Sequence, residues 1–127
     1  MEGQPKALVA CCECTNREVL VTLIAQAGLK PMIATNTSDA VSLLQSGTVA
    51  VAFCHDDPPG DGSKIVLNMA RRYSVPVVVS SRLDDPKHYL EAMEAGAFDF
   101  ICTPYLDTEV AALTRAMLRR FPHRTED

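Results

Sequence analysis

The chain has 127 residues, which is enough for one domain with its own hydrophobic core. Hydrophobic residues make up 47% and charged residues 22%, a balance that is typical of a globular protein and excludes a disordered chain. The net charge of −4 argues against binding to nucleic acid. Because no apolar run could span a membrane and the first residues lack a signal sequence, we expect a cytoplasmic protein without a membrane partner.

The first part of the chain alternates between strand and helix patterns. Residues 7–12 form a continuous apolar run, which predicts a strand buried on both faces. Thr15 is followed three residues later by Glu18, and this spacing predicts a capping box at the start of the first helix. Gly28 is suited to end that helix.

The next two strands are predicted over residues 32–35 and 49–54. Either Asn36 or Thr37 caps the helix between them. A polar loop over residues 55–62, rich in proline and glycine, ends the third strand.

The second half of the chain repeats the same alternation. The helix after the polar loop has an apolar stripe at Ile65, Val66, Met69 and Tyr73. The β-branched residues 75–79 predict a fourth strand. Asp85 and Pro86 are typical of an N-cap and a first helical residue, and Leu90 and Met93 supply the apolar side of that helix.

The last two elements are a strand over residues 98–102 and a helix that Asp107 caps. Strict alternation of strands and helices predicts an α/β fold with a parallel sheet covered on both faces. In such folds the site lies beyond the carboxyl ends of the strands. The segments that end the predicted strands are residues 11–14, 54–62, 80–84 and 102–104.

Cysteine is the unusual feature of the composition. The five cysteines are Cys11, Cys12, Cys14, Cys54 and Cys102. Because their number is odd and the chain has no secretion signal, we do not expect a disulfide framework. They either fill the core or form a site.

A series of short motifs resembles the receiver domain of two-component response regulators. In chain order the motifs are Lys6-Ala7-Leu8-Val9, Asn16-Arg17-Glu18-Val19-Leu20, Pro58, Asp61-Gly62, Val75-Pro76-Val77-Val78-Val79-Ser80-Ser81, Ala95-Gly96-Ala97-Phe98-Asp99-Phe100 and Thr103-Pro104. The resemblance implies a single CheY-like domain over residues 1–127, with its core over 6–121 and a frayed tail over 122–127. It also implies the three-layer, flavodoxin-like fold, with strand order 2-1-3-4-5 and five flanking helices.

In a typical receiver, two acids after the first strand hold Mg²⁺, and an aspartate at the end of the third strand accepts a phosphoryl group. By the resemblance, the acidic pair falls on Cys11 and Cys12, and the acceptor position falls on Cys54. The resemblance places the serine or threonine hydroxyl of a receiver at Ser81 and its switch aromatic at Phe100. The receiver lysine falls on Thr103, which is followed by Pro104.

These replacements predict a degenerate, or pseudo-, receiver. Thiols are soft ligands and poor substitutes for the oxygen atoms that Mg²⁺ prefers, so we expect Mg²⁺ binding to be weak or absent and no other cofactor. We expect no enzymatic activity and no dependence on phosphorylation. The expected partner is a sensor kinase or an output protein, and a homodimer is expected to use the face of the fourth helix, fifth strand and fifth helix.

Two alternatives stay open. Asp56 or Asp57 could be a surrogate phosphoryl acceptor with Glu13 as a metal ligand, although such acids are also typical of a solvated loop. The cysteines, with Cys14 close by, could instead form a thiol-based redox or metal-sensing module, although small thiols also serve as core residues.

Overall fold

The computed structural model describes residues 4–11, 14–56 and 62–121; for Cys14 and Thr15 it describes the secondary structure alone. Within these ranges the strands are β1 (Lys6–Ala10), β2 (Lys30–Ala34), β3 (Val49–His55), β4 (Val77–Ser81) and β5 (Asp99–Cys102). The helices are α1 (Cys14–Gln26), α2 (Thr37–Gln45), α3 (Gly62–Arg72), α4 (Pro86–Glu94) and α5 (Asp107–Arg120). In the described part of the chain, no helix is long and apolar enough to cross a membrane.

The strands form one parallel sheet in the order β2-β1-β3-β4-β5. This order confirms the predicted α/β fold and the topology that the resemblance implies. The central strand β3 is buried from Val49 to Cys54, as expected for a strand that is covered on both faces.

Two hydrophobic cores lie on opposite faces of the sheet. One contains buried residues of α2, α3 and α4, and we call this side the α2–α4 face. The other contains buried residues of α1 and α5, and we call it the α1–α5 face. Because side chains alternate along a strand, Phe53 packs in the second core and its neighbour Cys54 in the first. The same alternation places Val78 on the α1–α5 face and Val79 on the α2–α4 face.

Two predicted helix caps are confirmed. Asn36 lies at the N-cap of α2, where its side chain accepts a hydrogen bond from the Asp39 amide at 2.8 Å. Asp85 lies at the N-cap of α4, accepts from the Lys87 amide at 3.0 Å, and is followed by Pro86 in the first turn. These bonds satisfy amides that the first turn of a helix leaves without an intrahelical partner.

Two other predicted caps are wrong. Helix α1 begins at Cys14, so Thr15 has helical geometry and is not the N-cap of a capping box. At α5 the N-cap is Leu106, with extended geometry and no side-chain cap, and Asp107 is already helical. The Asp107 carboxylate accepts from the Thr108 amide at 2.7 Å and still lies where the helix dipole favours negative charge.

The predicted apolar stripes of α3 and α4 are partly wrong. In α3 the residues that face the sheet are Val66, Leu67 and Ala70, whereas Ile65 and Tyr73 are exposed. In α4 only Ala92 is buried, and Leu90 is exposed to 56%. Helical spacing fits more than one stripe in each sequence, and contact with the sheet selects among them.

Strand boundaries also differ from the sequence pattern. Strand β1 ends at Ala10, before the end of the apolar run, and β4 extends to Ser81. Pairing explains the second difference, because Ser80 and Ser81 lie beside Ile101 and Cys102 of β5. The apolar pattern ended where serines began, but the ladder of backbone hydrogen bonds did not.

Candidate functional site

Two of the cysteines lie at the carboxyl edge of the sheet, Cys54 in the core of the α2–α4 face and Cys11 in the core of the α1–α5 face. Ala10 pairs with Cys54 across β1 and β3, and Cys11 follows directly after β1. The backbone of Cys11 is fixed by a hydrogen bond from its amide to the Ala34 carbonyl at 3.1 Å and by the Arg17 side chain, which donates to its carbonyl at 3.4 Å. Both thiols are buried.

The surroundings of the Cys54 thiol disfavour its deprotonated form. Burial raises its pKa from 9.0 to about 12, and the Asp56 carboxylate and the neighbouring Cys11 thiol add to the rise. A thiol needs to be deprotonated to act as a nucleophile or a metal ligand. Cys54 therefore carries a proton and no charge at the position that the resemblance assigns to phosphoryl acceptance.

Both thiols line a small cleft of about 150 Å³ between the strand ends and the loops that lead into α2 and α3, which we call the thiol cleft. Its polar lining includes Asn36 and Ser63, and Asp56 lies on it directly after β3. The Asp56 amide donates to the Ser80 carbonyl at 2.6 Å, which fixes the start of the loop beside β4. The cleft is thus narrow, partly apolar and bordered by one described carboxylate.

The donor set of this cleft does not fit Mg²⁺. Cys11 and Cys54 supply sulfur where an octahedral Mg²⁺ site needs oxygen atoms. Among the described residues, no group of three or more His, Cys, Asp or Glu side chains could hold a metal ion. Cys12, Glu13 and Asp57 lie outside the described residues, as does the side chain of Cys14.

A chain of polar side chains, which sequence reasoning missed, lies on the α1–α5 face of the same edge. His55 Nδ1 is 3.0 Å from Ser80 Oγ, and Ser80 Oγ is 2.6 Å from the Tyr105 hydroxyl. The His55 and Tyr105 rings also meet edge to face at 6.4 Å. We call this set the His55–Ser80–Tyr105 network. The signal for it was Ser80 itself, because a serine inside a buried strand needs a hydrogen-bond partner.

Ser81 lies on the other face and has a local role. Its Oγ accepts a hydrogen bond from the Leu83 amide at 3.1 Å, and the residue is fully buried. The hydroxyl therefore shapes the turn that follows β4.

The end of β5 holds the last three predicted positions. The Thr103–Pro104 peptide bond is cis, and the Thr103 amide donates to the Ser81 carbonyl at 3.0 Å. Thr103 is half-buried and supplies no cation at the position of the lysine. Phe100 is also half-buried, and its ring meets Tyr89 of α4 edge to face at 6.0 Å.

Cys102 lies apart from the thiol cleft. Its thiol donates weakly to the Leu83 carbonyl at 3.8 Å. Burial raises the pKa of this thiol, and the carboxylates of Asp84 and Glu109 add to the rise. The described cysteines thus divide between the cleft and a separate position on β5.

Comparison with solved structures identifies the fold class. A two-component response regulator from Clostridium difficile superimposes with a TM-score of 0.82 at 22% identity, over 94% of this chain and 99% of that one. The Francisella response regulator 1452 receiver domain superimposes with a TM-score of 0.78 at 23% identity, over 91% of this chain and 98% of that one. The chain therefore has the fold of a response regulator receiver domain.

Sequence comparison leads to the same class. The chain is 26% identical to "Probable transcriptional regulator ycf27" of Guillardia theta over 94% of its own length and 48% of that protein. It is 33% identical to "KDP operon transcriptional regulatory protein KdpE" of Escherichia coli over 50% of its length and 28% of that protein. No protein-family model matches the chain. The resemblance to response regulator receiver domains is confirmed, and the chain spans about half the length of the ycf27 relatives that it matches.

Proposed function

We propose that this chain acts in two-component or phosphorelay signalling as a receiver domain that does not depend on phosphorylation. The observation that supports the proposal is Cys54, a buried thiol with a raised pKa at the position that the resemblance assigns to the acceptor. Phosphoryl transfer also needs positive charge around the transferred group, and this chain has Thr103 where a receiver has its lysine. The domain would have no enzymatic activity and would act in the cytoplasm by docking onto a sensor kinase or an output protein.

The surface shared by α4, β5 and α5 is the docking face that we propose. Tyr89 and Leu90 on α4 and Leu106 before α5 are exposed to 44%, 56% and 58%. Tyr89 packs on Phe100 of β5, so α4 and β5 present aromatic and aliphatic groups side by side. Exposed apolar groups that lie together are typical of protein interfaces. A homodimer through the same face is part of this proposal.

A phosphorylation experiment tests the first part. The chain is incubated with Mg²⁺ and acetyl phosphate, and the intact mass is measured; a second sample receives beryllofluoride and is followed by amide NMR. We expect no added phosphoryl mass and no shift of the amides of Cys54, Asp56 and Ser81. A receiver with an intact acceptor aspartate, treated in parallel, shows that the reagents are active.

Added phosphoryl mass is the outcome expected if Asp56 or Asp57 is a surrogate acceptor. If phosphoryl mass appears, the variants Asp56→Asn and Asp57→Asn are treated in the same way. Loss of the added mass in one of them would assign the acceptor and replace our proposal with the alternative of an atypical, phosphorylated regulator. The position of Asp56 on the thiol cleft is the observation that makes this alternative worth testing.

Sedimentation equilibrium tests the proposed docking face. If the chain forms a dimer through α4, β5 and α5, Leu90→Glu should weaken association by at least about tenfold, because it places a carboxylate in an apolar interface. Ile65→Glu is the matched control, since Ile65 is exposed to 47% but lies on α3. Equal loss in both variants, or none in Leu90→Glu, would contradict the assignment of the face.

A further inference from the structure

A larger cavity lies at the end of the sheet opposite the thiol cleft, and we call it the basal pocket. Its volume is about 480 Å³, within the range of cavities that hold small organic ligands. It is formed around the beginnings of β4 and β5 and the ends of α3 and α5. Its buried, apolar lining residues include Leu67, Val75, Val77 and Ala97.

Aromatic rings hold one arginine at this pocket. The guanidinium carbon of Arg120 lies 6.0 Å from the centre of the Phe98 ring, a distance at which the cation is attracted to the ring face. The Phe98 ring in turn meets Phe121 edge to face at 6.2 Å. All three residues line the pocket, so the aromatic pair positions a positive charge there.

A second arginine reaches the pocket from α3. Arg71 Nη2 donates to the Ala95 carbonyl at 3.2 Å and lies against Gly96. A Cβ atom at Gly96 would lie 2.8 Å from Nη2, and the φ angle of +103° is one that glycine adopts readily. Gly96 thus leaves room for the guanidinium. A guanidinium has five N–H donors, so one bond leaves others available for a ligand.

The charges around the basal pocket have one sign. Among its described lining residues there is no aspartate or glutamate, and within the described ranges neither Arg71 nor Arg120 forms an ion pair. The helix dipole favours arginine near the ends of α3 and α5. The dipole does not account for two guanidinium groups on one concave surface with an apolar lining, in a chain whose net charge is −4.

We propose that the basal pocket binds a small organic anion with a planar, apolar body. The body would pack on the buried lining and beside Phe98, and a carboxylate or phosphate would be held by Arg71 and Arg120. Arginine suits this role because its planar fork of donors matches the oxygen atoms of both groups. The proposal is independent of the chemistry of the thiol cleft, which lies at the other end of the strands.

Amide NMR titration of the full chain tests the proposal. The probes are indole-3-carboxylate, 2-naphthoate and adenosine monophosphate, with neutral indole and inorganic phosphate as comparison ligands. We expect at least one organic anion to shift the amides of Val75, Gly96, Ala97 and Phe98 in a saturable way. Indole and phosphate should each bind at least about tenfold more weakly, because each offers only one of the two interactions. If no anion saturates, or if the shifts map to another surface, the proposal is wrong.

Charge-matched variants locate the binding. Arg120→Gln should weaken the best anion by about tenfold or more, whereas Arg115→Gln, an exposed position on the same helix outside the pocket, should not. Arg71→Gln and Arg72→Gln form a second pair on α3 with the same expectation. Thermal unfolding shows which variants remain folded. If Arg71→Gln does not remain folded, the comparison of Arg120→Gln with Arg115→Gln tests the site alone. Equal weakening in the members of a pair would indicate attraction to net charge alone and would overturn the proposed site.

Discussion

The two faces of the sheet differ at the same carboxyl edge. On the α2–α4 face, Cys54 is a buried, protonated thiol, and Ser81 uses its hydroxyl to hold the next turn. One residue away on the same two strands, His55 and Ser80 belong to a network that reaches Tyr105. Alternation of side chains separates the two sets although their backbones are contiguous.

This difference shows which face of the sheet holds the buried side-chain hydrogen bonds that connect separate elements of the fold. On the α2–α4 face, Cys54 and Ser81 supply a thiol and a hydroxyl at positions that the resemblance assigns to receiver chemistry, while the opposite face carries hydrogen bonds between three elements of the fold. The network joins β3, β4 and the segment between β5 and α5, so it links three elements at the strand ends. Buried networks of this kind specify one arrangement of the elements that they connect.

The largest expected effect at neutral pH comes from placing an acid at position 54. Cys54→Asp should lower the free energy of unfolding by about 3 kcal/mol at neutral pH, because it buries a carboxylate that is also repelled by Asp56. Burial and this repulsion raise the pKa of the new carboxyl. The loss should therefore be present at neutral pH and should disappear as the pH falls below about 4, the ordinary value for aspartate. Urea unfolding over this pH range measures it.

The neutral variant Cys54→Asn is the control, since asparagine has the shape of aspartate without its charge. A difference between the two variants that grows with pH would assign the cost to charge. If Cys54→Asp were as stable as the parent chain and also took up a phosphoryl group from acetyl phosphate, the two faces would not differ as described. The edge would then retain receiver chemistry that needs only an acid.

The adjacent serines give the next largest effect and compare the faces directly. Ser80→Ala removes hydrogen bonds to both His55 and Tyr105, and we expect a loss of about 2 kcal/mol in the free energy of unfolding. Ser81→Ala removes one bond, from the Leu83 amide, and should cost about 1 kcal/mol. Both residues are fully buried, so the pair is matched in burial. Equal losses in chemical denaturation would show that the network adds nothing beyond a local turn.

Much of the fold could be predicted because its signals are local. The alternating apolar runs and the caps at Asn36 and Asp85 depend on a few neighbouring residues, and the structure confirms them. The stripe of α3 was harder, because Ile65 and Val66 both fit helical spacing and only contact with the sheet distinguishes them. The cap of α5 was also wrong, since an aspartate favours the first turn as well as the cap.

The site likewise has features that the sequence predicts and features that it does not. Parallel strands bring their carboxyl ends together, so the strand order places Cys11 and Cys54 at the same edge of the sheet. The His55–Ser80–Tyr105 network joins residues that are 25 positions apart in sequence at each of its two bonds. No local pattern specifies which distant hydroxyl a buried serine will meet. The basal pocket was missed for the same reason, because its two arginines come from α3 and α5.

The last expected effect is absent at neutral pH, where the changes above act, and takes the form of a dependence of stability on alkaline pH. Burial in the folded chain raises the pKa of the Cys54 thiol to about 12 from the ordinary cysteine value of 9.0, which applies to an unfolded chain. The folded chain therefore holds this proton more tightly, and the stability that it contributes is complete below pH 9 and is lost as the pH rises towards 12. Between these values the parent chain should lose up to about 1.4 kcal/mol per pH unit relative to Cys54→Ala. Because lysines and tyrosines titrate in the same range, only this difference between the two proteins, measured by urea unfolding under reducing conditions, reports the thiol.

Cys102→Ala is the control, since Cys102 is only partly buried and its removal should change the slope less. Identical slopes for the parent chain and Cys54→Ala would mean that Cys54 titrates as an ordinary thiol, and the thiol cleft would then hold a group able to react.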